Sequence, residues 1–444
     1  METSVSDLGD YTPALDRRDP VELLDSQSFS RLPDLVPLRF GRMLESPFTF
    51  YRGAALLMAS DLARGPRSAL QVQLCGDAHL SNFGAFASPE RRFVFDINDF
   101  DETQPGPFEW DVKRLVTSME VAGRYRGFTR KERNKLLRAT SEGYRGAMAT
   151  LAGQGNLDVW YASIDIDAVM QGLQSRMDKA GRKQTGRGLA KARTRNSLQA
   201  AVKLTEIING VRQFVDAPPV IVRAATLIAE TDDDVGPIID ALPSSWQRYV
   251  DSLQSDRRHL LTEYNYVDLA RKVVGVGSVG TRAWVLLLQG RDTSDLLMLQ
   301  LKEAQASVLE DFTAPSAYAQ QGERVVQGQR LLQSASDIFL GWTQVLGVDY
   351  YLRQLRDWKA SVDVDTLDPA SLAGYGELCG ATLAKGHARS GDRMAITSFL
   401  GDDGTAFNDA MTNFARAYAD QNERDYAALQ AAVSDGRIRV LTDV

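Results

Sequence analysis

Asp77, Asn82 and Asp99 are the residues of this 444-residue chain whose types and spacing best suit chemistry. In CGDAHLSN, Asp77 follows a short apolar run and Asn82 lies in the turn beyond it. In INDFDE, Asp99 ends an alternating apolar run and is followed by Phe100, Asp101 and Glu102. Phosphoryl transfer needs a carboxylate to orient or deprotonate the attacking hydroxyl, and hard oxygen ligands to hold Mg²⁺ on nucleotide phosphates. Asp77 suits the first task, Asn82 and Asp99 the second. Either segment alone reads as a stabilised turn or an exposed acidic loop; the two in this order and separation favour chemistry. The histidines, His79, His259 and His387, sit in separate contexts, so no histidine metal cluster is expected and His79 is read as shaping its loop. Cys75 and Cys379 have neither zinc spacing nor a disulfide framework and read as reduced thiols. No Ser-His-Asp or Cys-His arrangement stands out.

Gly275, Gly277 and Gly280 spell GxGxxG, a weak signal alone because glycines also mark ordinary hairpins. The segment that follows, AWVLLL, is strand-like rather than helical, which excludes a dinucleotide-binding βαβ unit. A third strand-like segment, LLMLQLKEA, then carries Lys302. A glycine hairpin over phosphates, with a lysine on the third strand to neutralise α- and β-phosphate charge, is the way a kinase grips ATP. Such a lysine needs a carboxylate partner: Glu323 in GERVVQGQR is the first choice, and Glu310 is the nearer alternative.

CGDAHLSN with INDFDE resembles the catalytic and metal loops of the aminoglycoside phosphotransferase and choline kinase branch of the protein-kinase-like fold, where HGDxHxxN precedes an IDF-type segment. The resemblance implies that Asp77 is the catalytic base, that Asn82 and Asp99 hold Mg²⁺, and that Asp111 in EWDVKRL is the structural aspartate of the following helix. Cys75 stands where that family usually has histidine, and Asn98 precedes Asp99. The segments SPFTFYRGAA, GDAHLSNFG, NDFDE, LKEA and GERVVQGQR also look like the bacterial family catalogued as domain of unknown function 2252, a name that implies no activity. The order is unusual, because Gly275 and Lys302 follow Asp77 instead of preceding it. The expected architecture is therefore α+β: a two-lobed protein-kinase-like fold with a helix-rich catalytic lobe and a small β-rich nucleotide lobe, circularly permuted. Permutation is tolerable where the old termini meet at the surface. It requires Lys302 and Asp99 to come within about 15 Å of one another, since both must contact one nucleotide.

The elements that would position these residues can be read in outline. Residues 1–36, with many Asp and Pro residues, read as a loosely attached arm. Residues 37–262 form the expected catalytic lobe, with a helix over 51–63, strands in QVQLCGDAH and RRFVFDINDFDE, and mostly helix from 111 to about 206. Pro218, Pro219 and the turn around Asp234 and Gly236 place a boundary between about 215 and 262. Residues 263–360 form the expected nucleotide lobe, and 361–444 supply helices packing on the catalytic lobe. Lys179, Arg182, Lys183, Arg187, Lys191, Arg193 and Arg195 make a cationic run without interleaved aromatics, read as a solvated loop.

A net charge of -7 disfavours a nucleic-acid partner, and no apolar run approaches the roughly 20 residues of a membrane span. The N-terminus lacks a basic and apolar leader, so a cytoplasmic protein is expected. The leading expectation is an ATP- and Mg²⁺-dependent phosphotransferase acting on a hydroxyl or amine acceptor, small molecule or protein. AMP transfer on the same fold, a nucleotide-binding pseudokinase or scaffold, and a metal-dependent phosphohydrolase using Asp96, Asp99 and Asp101 are the alternatives. Acceptor identity and oligomeric state are not legible.

Overall fold

The computed structural model describes residues 3–168, 197–230, 235–273, 275–355 and 363–442. The cationic run at 179–195 lies outside the described residues. The chain starts with four short helices, of which the first and third carry side-chain caps. In α1 (Pro20–Ser28) the Asp19 carboxylate accepts the free amides of Val21 and Glu22. After α2 (Val36–Met43), α3 (Pro47–Gly53) opens on a Ser46–Thr49 capping box and stops at Ala54, and α4 (Ala55–Leu62) restarts the chain. The helix expected over 51–63 is thus two helices with a joint at Ala54.

The N-terminal segment is not a loose arm. Leu8 and Leu24 are fully buried, and Arg17 forks between Asp61 and Asp425 at 2.7 Å each. Its one regular helix, α1, is only nine residues long and buries just Val21, Leu23 and Leu24 as apolar anchors, too short a stretch to show a clear period among the Asp and Pro residues around it.

Strands β1 (Gln71–Leu74), β2 (Phe83–Ala87), β3 (Phe93–Ile97) and β4 (Gln104–Pro107) come next. β1 pairs antiparallel with β4, and β2 with β3, so that Phe83 faces Ile97. Helices α5 (Phe108–Tyr125), α6 (Arg130–Ala152) and α7 (Asn156–Tyr161) follow, then the short β5 (Ile164–Asp165) against β3. Beyond the undescribed stretch, α8 (Ser197–Leu204) leads into a hairpin of β6 (Thr205–Ile208) and β7 (Val211–Phe214).

Next come β8 (Ile221–Arg223), α9 (Ala224–Glu230), α10 (Val235–Asp251), α11 (Ser255–Leu261), β9 (Asn265–Lys272), β10 (Ala283–Gln289) and β11 (Leu296–Glu303). α12 (Gln321–Leu332) separates these from β12 (Gly341–Val345) and β13 (Val348–Gln354). Together they build an antiparallel sheet in the order β12-β13-β11-β10-β9-β8. Tyr249 of α10 and Leu253 just beyond it pack with Leu269, Trp284 and Leu286 of the sheet. Ala201 of α8 and Phe214 of β7 pack on the sheet residues Val285 and Leu287, so the sheet side of the fold reaches back to residue 197 and does not start at 263; its leading strands are three or four residues long, too short to show an alternating period.

The chain closes with α13 (Pro369–Ser390), α14 (Arg393–Leu400) and α15 (Thr405–Ser434); α13 and α15 pack on α5 and α6, and α14 on α6. The end of α13 lies against β1, where the Ser390 hydroxyl accepts the Gln73 amide at 3.1 Å. The whole is a helix-dominated α+β fold, and among the described residues no helix is long and apolar enough to cross a membrane.

Candidate functional site

β1 runs directly into the loop that carries Asp77, and α5 holds that loop from beneath. The buried Asp111 carboxylate, in the first turn of α5, accepts the amides of Cys75 at 2.8 Å and Gly76 at 3.1 Å. Gly76 has φ 87°, and a Cβ there would lie 2.0 Å from the Glu102 carbonyl oxygen, so the turn requires glycine. His387 on α13 meets Asp111 through Nε2 at 3.2 Å and the Tyr144 hydroxyl through Nδ1 at 2.9 Å. One turn along α5, Arg114 donates from Nε to Asp77 Oδ1 at 2.8 Å and from Nη2 to the Tyr51 carbonyl at 2.7 Å. Burial raises the Asp77 carboxyl above its ordinary range, and Arg114 opposes that rise.

The next residues complete a tight loop. His79 and Asn82 both donate to the Asp77 carbonyl at 2.8 Å, the first from its backbone and the second from Nδ2. That bond orients the amide and leaves Asn82 Oδ1 without a donor among the described residues. His79 Nδ1 accepts the Ser81 amide, and burial keeps the ring neutral, which fits a loop-shaping role. The Asn98 amide then donates to the Asn82 carbonyl at 2.8 Å, which ties the Asp99 segment to the Asp77 loop.

Gly275, Gly277 and Gly280 lie in the turn between β9 and β10, and Lys302 sits on the neighbouring β11 with Ala283 as its register partner. The N-terminal segment grips this turn. Arg42 donates to the Gly275 carbonyl at 2.6 Å, Leu32 to that of Gly280 at 2.8 Å, and Arg31 to that of Val279. Gly275 and Gly280 have φ of 68° and 90°, conformations that side chains rarely adopt. Ser278 donates to Asp101 at 3.2 Å, so the glycine turn touches the acidic segment.

Lys302 Nζ is 3.9 Å from Asp99 Oδ2 and hydrogen-bonds Asp101, which also accepts the Tyr351 hydroxyl at 2.8 Å. Burial works against both charges in this pair, but mutual attraction prevails: Lys302 is raised and Asp101 lowered from their ordinary pKa values. The lysine's partner is thus Asp101, not Glu323 or Glu310. The reason lies in α12, whose inward residue is Arg324: it donates to the carbonyls of Asp101 and Gln305 at 2.8 Å and to that of Thr103. Glu323, one position back, points elsewhere around the helix and does not line the cleft.

Asp77, Asn82, Asp99, Gly275 and Gly277 line one cleft of about 630 Å³, together with Arg31, Arg52 and Glu310. Among the described residues no group of three or more His, Cys, Asp and Glu could hold a metal. Asn82 Oδ1 and Asp99 fit the sparse protein ligation typical of Mg²⁺, which draws its remaining ligands from water and phosphate. Sequence reasoning missed Arg114, His387, Arg324 and the Asp101 partnership. Only Arg114 had a local signal, three residues after Asp111 and so on the same helix face.

These features define a helix-rich α+β protein with an acidic cleft joining its sheet to its helices. The chain belongs to the family described as "uncharacterized protein conserved in bacteria", domain of unknown function 2252, which matches residues 31–432. No curated protein and no solved structure matches the chain.

Proposed function

We propose that this protein is an ATP- and Mg²⁺-dependent phosphotransferase acting on a hydroxyl or amine acceptor, on a circularly permuted kinase-like fold. The observation that carries the reading is the 3.9 Å approach of Lys302 to Asp99, far inside the reach that one shared nucleotide demands. Residues distant in the chain converge there under a glycine turn. The contact of α13 with β1 supports the permutation: a chain running from Ser390 straight into Gln71 would place the catalytic loop after the glycine turn and lysine. On that reading α13, and not α3 with α4, is the helix that leads into the catalytic strand.

The roles follow from the contacts. Asp77, fixed by Arg114, takes the proton as the acceptor oxygen or nitrogen attacks the terminal phosphorus of ATP; that bond forms as the phosphorus–oxygen bond to ADP breaks, and ADP leaves. Burial makes Asp77 a stronger base than an exposed aspartate. Lys302 exchanges Asp101 for nucleotide phosphate, while Tyr351 keeps Asp101 in place. Asn82 and Asp99 would hold Mg²⁺, which when bound neutralises phosphate charge and orients the group transferred. ATP, Mg²⁺ and an acceptor of still open identity are the partners of this reading.

Calorimetric titration of ATP with Mg²⁺, paired with ATP labelled at the α or γ position, tests it. Binding that Asp99→Asn weakens, with ADP as product and turnover stopped in Asp77→Asn while binding persists, is expected. Pyrophosphate release would shift the reading to AMP transfer. Absence of nucleotide binding at millimolar ATP would overturn it.

A further inference from the structure

The two arginines that line the cleft differ in how they are satisfied. Arg31 has a buried Nε without a partner but donates from Nη1 to the Val279 carbonyl. Arg52 makes no hydrogen bond or ion pair among the described residues, and its Nε is buried without a partner. Its backbone is well fixed on either side: the Tyr51 carbonyl accepts Arg114 at 2.7 Å and the Gly53 carbonyl accepts Arg39 at 3.2 Å. The Arg52 carbonyl also lies 3.4 Å from where a Cβ on Gly277 would stand, so the residue sits beneath the glycine turn. The side chain is therefore held at the meeting point of the catalytic loop and the glycine turn, with its donors uncommitted.

Charge explains why it is tolerated and what it lacks. Burial lowers the Arg52 pKa, while Asp77, Glu45 and Asp99 favour its charged form from a distance. Asp77 is already bonded to Arg114, and Asp99 has Lys302 beside it. A partly desolvated guanidinium without hydrogen-bond acceptors is costly, and a tetrahedral anion offers the acceptors its planar fork matches.

We infer that Arg52 binds the terminal phosphate of a nucleoside triphosphate in this cleft. The inference rests on the reading of the cleft as a nucleotide site. The phosphoryl group to be transferred must lie between the base Asp77 and the metal-side Asp99, and Arg52 is a cleft-lining cation, without a partner among the described residues, whose field reaches both. An arginine there holds charge that the γ-phosphate carries and that AMP does not.

Calorimetry on the full chain with ATP, ADP and AMP in the presence of Mg²⁺, for wild type, Arg52→Gln and Arg52→Lys, decides the matter. Arg52→Gln is expected to weaken ATP about tenfold or more and to leave AMP within about twofold, with Arg52→Lys between. Thermal melting of each variant confirms folding. Equal losses for ATP and AMP, or no loss for either, overturn the inference while leaving a nucleotide site standing. Inorganic phosphate that binds wild type and is lost in Arg52→Gln, with ATP unaffected, assigns the arginine to an anionic acceptor and overturns the terminal-phosphate assignment. A wild type that binds no nucleotide removes the nucleotide-site reading and this inference with it.

Discussion

Lys302 and Lys385 are both buried, and both meet aspartates from the short stretch Asp96 to Asp101. They are nonetheless held differently. Lys385 on α13 pairs with Asp96, whose side chain is wholly buried and also accepts the Ser334 amide at 3.3 Å. Lys302 stands between Asp101 and Asp99, whose side chains are 26% and 32% exposed to the cleft. Burial lowers the pKa of Lys385 despite its partner, whereas for Lys302 the aspartates outweigh burial and raise it. A sealed pair with one carboxylate per lysine is structural, because neither charge can find another partner without unfolding. A pair at a cleft wall, with carboxylates in excess, can exchange one partner for a ligand.

The comparison is broken most directly at the sealed pair. Lys385→Ala leaves Asp96 charged and buried, and should cost about 3–5 kcal/mol of stability. Urea denaturation measures the loss; a change near zero would mean that water or another cation reaches Asp96, and the contrast would disappear.

Lys302→Ala should cost less, about 1–2 kcal/mol, because Asp101 keeps the Tyr351 and Ser278 hydroxyls and both aspartates can be solvated from the cleft. It should instead abolish measurable ATP binding in calorimetry. Equal destabilisation by Lys302→Ala and Lys385→Ala would make the two pairs alike. Tyr351→Phe removes one hydrogen bond from Asp101 and should cost about 1 kcal/mol, read by the same denaturation. Its effect on nucleotide binding should be small if Lys302 leaves Asp101 when ATP enters.

What the sequence disclosed follows the same division. The alternating run in RRFVFDINDFDE, the glycine turn and the lysine on the strand after next are local patterns, and each element stands where its period predicted. The convergence of Asp77, Asn82 and Asp99 with the glycine turn was legible because each piece had its own spacing. The partners were not. Asp96, Asp99 and Asp101 are chemically identical in sequence, and only the pleat of β3 and the position of α13 send one into the core and two to the cleft. Glu323 looked suitable because it is an acid on the right helix, yet a rotation of one residue brings Arg324 inward instead. The N-terminal segment escaped notice for a related reason: it holds the glycine turn by single hydrogen bonds to backbone carbonyls and by the packing of Leu35 and Leu38 on Val279, contacts between positions distant in the chain that leave no mark on composition.

Glu102 offers the finest test of carboxylate excess at the cleft. It lines the cleft beside Asp101, and burial raises its pKa from 4.5 to about 7, with Asp101 and Asp77 adding to the rise and the Val308 amide and Arg324 opposing it. The folded protein therefore keeps this proton over a range in which the unfolded chain has released it. Stability from this group is full below about pH 4.5 and declines as pH rises toward about 7, the reverse of a salt-bridged carboxylate. Glu102→Gln, which cannot ionise, should remove that part of the slope while leaving the rest of the pH profile unchanged. Urea denaturation of both proteins at intervals from pH 5 to about 8, with Mg²⁺ chelated, reads the difference directly. Parallel profiles would mean that Glu102 is ionised throughout, and that the cleft tolerates three adjacent negative charges around Lys302.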